Sequence, residues 1–236
     1  MTPRVIVLSA PSGGGKTSIA QALLGRRTDV GYSVSATTRR PRSGEHDGAA
    51  YHFLDRAEFE RRRRAGAFLE HAEYAGERYG TLKEEVARLL RSGRHVLMDI
   101  DVQGVRQVRR AYPPPRSLSV FIVPPAAEVL IARLRGRQTE SDADVRRRLA
   151  IAARETAEAR AAVARPPTLW ARVWRRPPLF DAVVVNDDLE RAVAQVSEMI
   201  AAPARVLRPS DELVARLEEL ARGLAHAAEQ LNQRQA

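Results

Sequence analysis

Residues 5 to 17 read Val-Ile-Val-Leu-Ser-Ala-Pro-Ser-Gly-Gly-Gly-Lys-Thr, and they form the most informative segment of the chain. Val5 to Leu8 are apolar without polar alternation, which is typical of a strand buried on both faces of a parallel sheet. The glycines that follow allow successive backbone N–H groups to turn inward and form an anion-binding nest at the start of a helix. Ser18 to Leu24, rich in alanine and leucine, supplies that helix. The segment therefore predicts a strand, a phosphate-binding loop and a helix in succession.

The loop matches the pattern G-x-x-x-x-G-K-[ST] except at its first position, which is Ala10. Lys16 would add positive charge for the β and γ phosphates of a nucleoside triphosphate, and the Thr17 hydroxyl would bind the accompanying magnesium ion. Alanine fits at position 10 if that position requires only a small side chain and a negative φ. The alternative is a glycine-rich turn that binds nothing. The strand before the loop and the helix after it favour the phosphate site.

Composition limits the class of protein. A chain of 236 residues can form one large domain, with or without small insertions. It contains no cysteine, no long apolar run and no signal peptide, so we expect a cytoplasmic, soluble protein without disulfides or membrane association. The net charge of +10 comes almost entirely from arginine. An arginine bias can also reflect genome composition, so the charge alone predicts no partner.

Two further segments carry candidate binding residues. Tyr32 to Ala36 predicts a short strand, and Arg39 and Arg42 follow it in a basic turn. The planar guanidinium group binds phosphate oxygens in pairs, so these arginines could hold a second phosphate, although a solvated basic turn is the alternative. Glu70 lies among aromatic residues in a short predicted strand. Its carboxylate could form an ion pair at the rim, or it could accept the two adjacent N–H groups of guanine, which adenine lacks.

Six blocks of sequence occur in a fixed order along the chain. They are Ser12-Gly-Gly-Gly-Lys-Thr17; Ser35-x-x-Thr38-Arg39-x-Pro41-Arg42-x-Gly44-Glu45; Phe68-Leu-Glu70 with Tyr79-Gly-Thr81; Asp99-Ile-Asp-Val-Gln-Gly104; Arg133-Leu-Arg-Gly-Arg137; and Val183-Val-Val-Asn-Asp-Asp188. Through these blocks the chain resembles the guanylate kinases, in the nucleoside monophosphate kinase group of P-loop proteins. Ordered agreement over residues 4 to about 200 is far more specific than any single motif.

The resemblance implies an α/β protein with the P-loop three-layer fold, a parallel core sheet, an inserted GMP-binding subdomain and a helical lid. The guanylate kinase-like domain would span residues 1–202, with its core in 1–31 and 94–202, the GMP-binding region at about 32–93 and the lid at about 133–149. Residues 203–236 would form a C-terminal helical extension. The implied reaction transfers a phosphoryl group from ATP to GMP, giving ADP and GDP. It would accept dGMP as a second substrate and use Mg2+.

Site residues follow from the matching positions of the family. The GMP-binding set would be Ser35, Arg39, Arg42, Tyr51, Glu70, Tyr79, Thr81 and Asp101, in which arginines and tyrosines take the phosphate and Glu70, Thr81 and Ser35 take guanine. The ATP-binding set would be Ser12, Gly13, Gly14, Gly15, Lys16, Thr17 and Asn186. The catalytic set would be Lys16, Arg39, Arg133, Arg137 and Arg148, and the metal would be held by Thr17 and Asp99. For Asp99 and Asp101, the alternative is a carboxylate that caps the next helix.

Parts of the chain depart from the family. The usual glycine after Arg137 is Gln138, which puts the local turn of the lid in doubt. Residues 165–178 replace a brief connection with a stretch that contains four arginines and both tryptophans. We expect a proline-bounded surface loop there, with binding to single-stranded nucleic acid as the less favoured alternative.

The extension after residue 202 begins with a linker bracketed by prolines and continues as a helix capped by Ser210. An apolar stripe follows alternating spacings of four and three: Leu213, Leu217, Leu220, Leu224 and Leu231, with Ala227 or Ala228 in the gap. The same stripe would suit a helix docked on its own domain or the seam of a homodimer. The sequence leaves both arrangements open.

Two other functions remain possible at this level. A kinase of similar shape could act on a sugar phosphate, but such a relative should lack the guanine-binding residues Glu70, Tyr79 and Thr81, which are present here. The fold also serves as a non-catalytic peptide-binding module in which the phosphate loop has decayed. Lys16 and Thr17 argue against that decay.

Overall fold

Strands and helices alternate along the chain in the computed structural model, which describes residues 2–74, 76–136, 142–163, 178–202 and 210–233. The strands are β1 (Val5–Ser9), β2 (Val30–Tyr32), β3 (Ala36–Thr37), β4 (His52–Phe53), β5 (Phe68–Tyr74), β6 (Glu77–Leu82), β7 (His95–Asp99), β8 (Ser117–Val123) and β9 (Ala182–Val185). The helices in these ranges are α1 (Lys16–Arg26), α2 (Arg56–Arg64), α3 (Lys83–Arg91), α4 (Val102–Ala111), α5 (Ala127–Arg135), α6 (Asp142–Val163), α7 (Leu189–Ala201) and α8 (Asp211–Gln233).

The main sheet has five strands in the order β2-β7-β1-β8-β9. β2 and β7 pair in parallel, with Val30 opposite His95, and β8 and β9 pair in parallel, with Val120 opposite Ala182. Every residue of β8 is buried, as expected of a strand covered on both faces. A parallel core sheet with helices between its strands confirms the predicted α/β fold.

A second sheet contains four short strands in the order β4-β3-β6-β5. β5 and β6 are antiparallel, and β3 pairs with β4 on one side and β6 on the other. Helix α2 contributes Phe59 to a small apolar core with Phe68 and Ala36, in which the two phenyl rings stack with centroids 4.5 Å apart. This core supports the strands that carry Glu70 and Thr81.

The single strand predicted over Tyr32 to Ala36 was wrong. β2 ends at Tyr32 and β3 begins at Ala36, with no strand between them. The physical reason is a change of partner, because β2 pairs with β7 in the main sheet while β3 pairs with β6 in the second sheet. The chain therefore leaves one sheet and enters the other within three residues.

Contacts within the chain divide it into two compact units. The first unit contains residues 1–7 and 23–118, and the second contains residues 8–22 and 119–236. The second sheet and α2 to α4 belong to the first unit, whereas the phosphate loop and α5 to α8 belong to the second. The domain limits implied by the resemblance stay a prediction.

Helix α8 begins where the sequence predicts. The Ser210 hydroxyl accepts a hydrogen bond from the backbone N–H of Leu213 at 3.2 Å, which caps the helix. The apolar stripe is buried, with Ala228 rather than Ala227 at the buried position in the gap, and α8 packs on α6 and α5. Of the two arrangements that the sequence leaves open, the structure shows the helix docked on its own chain.

Several predictions fall outside the described residues. Arg137 and Gln138 of the lid lie there, as do residues 164–177 of the tryptophan and arginine stretch and residues 203–209 of the linker. In the ranges that the structure describes, none of the helices has the length and apolarity needed to cross a membrane.

His95 is a buried histidine at the start of β7. Its Nδ1 atom accepts a hydrogen bond from the backbone N–H of Arg4 at 3.1 Å, and its Nε2 atom lies 4.0 Å from an Asp29 carboxylate oxygen. Burial lowers the pKa of the imidazole from its ordinary value of 6.5, and the nearby Arg4 charge adds to this effect. The folded chain therefore favours neutral His95.

We expect the free energy of unfolding to fall as the pH drops below 6.5. The unfolded chain then binds a proton at His95 that the folded chain resists, whereas well above 6.5 the imidazole is neutral in both states and contributes nothing to the pH dependence. Urea unfolding at pH 7.5 and 5.5 measures this difference. His95→Asn should reduce it, while the same change at the exposed His46 should not. An identical pH dependence in wild type and His95→Asn would contradict the assignment.

Candidate active site

The phosphate loop connects β1 to α1 and contains three consecutive glycines. Gly13 and Gly15 have φ values of 87° and 91°, in the region that disfavours side chains. The backbone N–H of Gly14 donates to the Pro11 carbonyl at 2.8 Å, which closes the turn. Lys16 is the first residue of α1, so the loop lies at the N-terminal end of a helix, where backbone N–H groups and the helix dipole favour an anion.

Ala10 fits the loop despite the departure from the usual pattern. Its side chain is almost fully buried, with 5% of the residue exposed. A Cβ atom added to Gly14 would lie 3.0 Å from the Ala10 methyl group, so the two positions are in close contact. Position 10 therefore accepts a methyl group, and the contact helps explain why Gly14 has no side chain.

Asn186 holds the backbone of the phosphate loop. It follows β9, and its Nδ2 atom donates to the Gly14 carbonyl at 3.0 Å. A Cβ atom added to Gly15 would lie 2.0 Å from the same Nδ2 atom, so any side chain at this position would displace the Asn186 amide. The resemblance implies that Asn186 binds ATP, which stays a prediction, and its amide also fixes the backbone of the loop.

Glu70 and Thr81 form a buried polar pair in the second sheet. They lie opposite each other on β5 and β6, next to a register shift between Phe68 and Glu70. The Thr81 hydroxyl donates to Glu70 Oε1 at 2.7 Å, and the two residues are 0% and 3% exposed. A Cβ atom at Gly104 of α4 would lie 2.6 Å from Glu70 Oε2, so α4 approaches the carboxylate through a residue without a side chain. The structure thus holds a carboxylate in one fixed orientation.

Arg39 is preorganised by an acid to which the sequence analysis gave no role. One terminal nitrogen of its guanidinium donates to both carboxylate oxygens of Glu45, each at 2.9 Å. Glu45 also accepts the backbone N–H of Arg42 at 2.8 Å, and this bond, with Arg39, holds the pKa of Glu45 below its ordinary value. The guanidinium carbon lies 5.4 Å from the Tyr51 ring centroid, within cation–π range. The signal available in the sequence was the Gly44-Glu45 end of the second block.

Tyr51 and Tyr79 lie beside this arginine. Their ring centroids are 6.0 Å apart in an edge-to-face arrangement. Burial raises the pKa of Tyr51 to about 12, so its hydroxyl stays protonated near neutral pH and can donate a hydrogen bond. The hydroxyl groups of the two tyrosines and the guanidinium of Arg39 form a cluster of hydrogen-bond donors suited to an anion. Ser35 lies half-buried just before β3, and Arg42 is exposed.

Tyr32 is a second functional candidate that sequence reasoning missed. It ends β2, and its hydroxyl donates to Asp99 Oδ1 at 2.5 Å, at the end of the paired strand β7. Burial and the Asp99 charge raise the pKa of Tyr32, so the phenol remains a donor. The bond fixes the orientation of the carboxylate that is predicted to hold the metal. The signal lay only in the pairing of two strands that are far apart in sequence.

Asp101 caps helix α4. Its Oδ1 atom accepts the backbone N–H of Gly104 at 2.7 Å, which is the alternative that the sequence analysis kept open for this residue. A role in binding GMP stays a prediction. The cap places Gly104 in the first turn of α4, where the missing side chain leaves room for the Glu70 carboxylate.

The arginines predicted to act on ATP, the phosphoryl donor, are called the donor-side arginines. The two that the structure describes lie on helices of the second unit. Arg133 is an exposed residue of α5, and its Nη1 atom lies 3.8 Å from the position that a Cβ atom of Gly15 would take. Arg148 is half-buried on α6. The phosphate loop, Asn186, Arg133 and Arg148 thus belong to one unit, whereas the predicted GMP-binding residues and Asp99 belong to the other.

Comparison with known proteins identifies the family. The family model described as guanylate kinase matches residues 2–203. The chain belongs to the guanylate kinase family. It is 43% identical over 197 residues to a guanylate kinase of Chlorobium chlorochromatii, covering 84% of this chain and 94% of that protein. A guanylate kinase of Nitratidesulfovibrio vulgaris is 47% identical over 188 residues, covering 80% of this chain and 81% of the relative.

A solved structure supports the same assignment. The crystal structure of guanylate kinase from Anaplasma phagocytophilum aligns with a TM-score of 0.64 and 29% sequence identity, covering 88% of this chain and 89% of that one. Both the predicted family and the predicted fold class are confirmed. The guanylate kinase family model ends at residue 203, so α8 lies beyond it.

We expect Asn186→Ala to lower the free energy of unfolding by about 1–3 kcal/mol, because the buried Gly14 carbonyl loses its donor. Urea denaturation measures the change. The matched control is Gln103→Ala, which removes an exposed amide side chain from α4 and should have little effect. Equal stability of Asn186→Ala and wild type would mean that the amide does not hold the loop.

Proposed function

We infer that this chain transfers the γ-phosphoryl group of ATP to GMP, giving ADP and GDP. The family match over residues 2–203 and relatives of 43% and 47% identity, which are themselves guanylate kinases, support this activity. The single structural observation that carries the choice of acceptor is the buried Glu70 carboxylate, held by Thr81 beside Gly104. We propose dGMP as a second acceptor, since the argument depends on the base and not on the 2′-hydroxyl.

Glu70 would select guanine by hydrogen bonding. Its carboxylate accepts hydrogens only, and guanine offers two N–H donors side by side at N1 and the exocyclic amine. Adenine offers no such pair of donors to the buried carboxylate, and a site built on such bonds rejects the wrong base strongly. Thr81 and Ser35 complete the proposed base-binding set. The short bond from Thr81 supports this role because it fixes the carboxylate before the base arrives.

The phosphate of GMP would bind to Arg39, Arg42, Tyr51 and Tyr79. Guanidinium groups bind phosphate oxygens through charge-assisted hydrogen bonds, and the protonated Tyr51 hydroxyl adds a neutral donor. The bond from Arg39 to Glu45 supports a preorganised site, because less side-chain entropy is lost when the ligand binds. We propose that Asp101 binds the same nucleotide while capping α4.

ATP would bind at the phosphate loop. Ser12 to Gly15 supply backbone N–H groups, Lys16 supplies charge for the β and γ phosphates, and Asn186 lies near the base. The tight contacts around the glycines support a rigid loop that does not have to reorganise to accept an anion. We propose that residues 133–149 form the lid over this nucleotide.

A divalent metal accompanies ATP in this family, and we propose Mg2+. Thr17 would supply a hydroxyl oxygen and Asp99 a carboxylate, and Mg2+ prefers oxygen ligands shared with substrate phosphates and water. The hydrogen bond from Tyr32 supports the assignment of Asp99, because it orients the carboxylate. When bound, the ion would neutralise phosphate charge, and Thr17 and Asp99 would hold it.

Catalysis would consist of alignment and charge neutralisation. The acceptor oxygen of GMP is already part of a phosphate anion, so no general base is required. Lys16, Arg39, Arg133, Arg137 and Arg148 would stabilise the charge on the transferred group. The comparisons favour neither a sugar phosphate kinase nor a non-catalytic module. A cytoplasmic location stays a proposal from the sequence.

An assay that couples ADP release to NADH oxidation tests the function directly. GMP and dGMP should support turnover with ATP and Mg2+, whereas AMP and ribose 5-phosphate should not. Turnover with ribose 5-phosphate alone would favour the sugar phosphate kinase. No turnover with any acceptor would favour the non-catalytic module.

Lys16→Ala and Arg39→Ala should each lower kcat/KM by about 100-fold or more. Each substitution removes a positive side chain that would neutralise the charge of the transferred phosphoryl group or of its acceptor. The sequence offers a matched control for each: Lys83→Ala removes the only other lysine, and Arg40→Ala removes the exposed neighbouring arginine. Both controls should retain kcat/KM within about twofold. Wild-type turnover in Lys16→Ala or Arg39→Ala would contradict the assigned roles.

Glu70→Ala should relax the choice of base. The ratio of kcat/KM for GMP to that for AMP should fall by about 100-fold or more, because the buried acceptor that penalises adenine is gone. The exposed Glu73 on the same strand provides the control, and Glu73→Ala should keep the wild-type ratio. An unchanged ratio in Glu70→Ala would exclude the carboxylate as the determinant of base specificity.

A further inference from the structure

Helix α8 lies outside the region that matches the guanylate kinase family, yet it is integrated into the second unit. The family model ends at residue 203, and α8 begins at Asp211. Leu217, Leu224 and Leu231 are 1%, 0% and 5% exposed. An apolar stripe buried to this extent removes several side chains from water, which stabilises a docked arrangement.

α8 runs antiparallel to α6 along most of its length. Glu218 accepts a hydrogen bond from Arg160 at 2.8 Å, and Asn232 accepts one from Arg146. From the first bonded pair to the second, the residue number rises by 14 on α8 and falls by 14 on α6. Fourteen residues correspond to about 21 Å of helix. Equal intervals mean that the two helices lie side by side and do not merely cross. The second of these bonds lies two residues from Arg148.

α8 also contacts the first turn of α5 at a glycine. A Cβ atom added to Gly223 would lie 3.0 Å from the Cβ atom of Ala127, the first residue of α5. Glycine within a helix is unfavourable compared with alanine, so a close contact of this kind accounts for its presence in the middle of α8. α8 is thus in contact with both helices that carry donor-side arginines.

α5 in turn supports the phosphate loop. Leu130 and Leu134 lie 3.1 and 3.3 Å from the position that a Cβ atom of Gly13 would take, and Arg133 on the same helix approaches Gly15. Both leucines are fully buried. One short helix therefore contacts α8 at its first residue and the phosphate loop further along. A displacement of α5 would move the wall against which the loop packs.

We propose that α8 is a positioning element for the ATP-binding half of the active site. It holds α5 against the phosphate loop, and it holds α6 so that Arg148 keeps its place. This inference rests on the proposed function, because ATP is the ligand of that half. GMP would bind to residues of the other unit, so its affinity serves as an internal reference.

The test compares two alanine substitutions at helical glycines. Gly223→Ala should raise the dissociation constant of ATP by about fivefold, because the added methyl group presses on Ala127. Isothermal titration of the full chain with ATP and, separately, with GMP measures both affinities. GMP affinity should stay within about twofold of wild type. Gly25→Ala in α1 is the control, because nothing lies within 4 Å of its added methyl group.

A compensating change distinguishes positioning from general damage. Ala127→Gly in the Gly223→Ala background removes the opposed methyl group and should restore ATP affinity to within about twofold of wild type. Leu224→Ala, which leaves a cavity in the buried stripe, should also weaken ATP binding more than GMP binding. The exposed Glu229→Ala should change neither affinity.

Three results would overturn the proposal. Gly223→Ala and Leu224→Ala could lower the melting temperature while leaving ATP affinity unchanged, which would make α8 a purely stabilising element. They could weaken ATP and GMP binding equally, which would indicate global damage. Light scattering could also detect a wild-type dimer that Leu224→Ala dissociates, which would assign the stripe to a seam between copies. Wild-type chain that binds no ATP would refute the proposed function itself, and this inference with it.

Discussion

Close packing around the phosphate loop is the constraint on which the donor half of the site depends. Gly13 faces the leucines of α5, Gly14 faces Ala10, and Gly15 faces the amide of Asn186. At each position a side chain would meet a neighbour at 3.1 Å or less. The backbone of the three glycines is therefore closely packed at each position. A loop fixed in this way can present its N–H groups to an anion without reorganisation.

The acceptor half is organised by carboxylates whose partners are already in place. Glu70 is held by Thr81, Glu45 joins Arg39 to the backbone of Arg42, and Asp99 accepts the hydroxyl of Tyr32. A buried or half-buried carboxylate costs free energy unless it is hydrogen-bonded, and each of these is. The same bonds that offset the cost fix the direction in which each acid or arginine points. Stability and preorganisation therefore come from one set of contacts in this unit.

Local sequence patterns were sufficient where burial alone determines structure. The apolar run Val5 to Leu8 predicted a strand buried on both faces, and β1 is buried at every position. Local patterns were insufficient where the structure depends on a partner that is distant in sequence. The split between β2 and β3 follows from the strands to which they pair, and the bond from Tyr32 to Asp99 follows from the register of β2 on β7. The leucine spacing of α8 predicted a buried stripe but could not name its partner, because an intrachain surface and a second copy impose the same periodicity.

The pairing of α6 with α8 has a consequence for how the chain acquires its structure. The residues that join the two helices are separated by 58 and 86 positions in sequence. During synthesis α6 leaves the ribosome well before α8, so the apolar surface that α8 covers is exposed to solvent and to chaperones in the interval. Such long-range contacts form slowly compared with those inside a hairpin. Until α8 has emerged, the nascent second unit therefore contains α6 without the helix that covers its apolar surface.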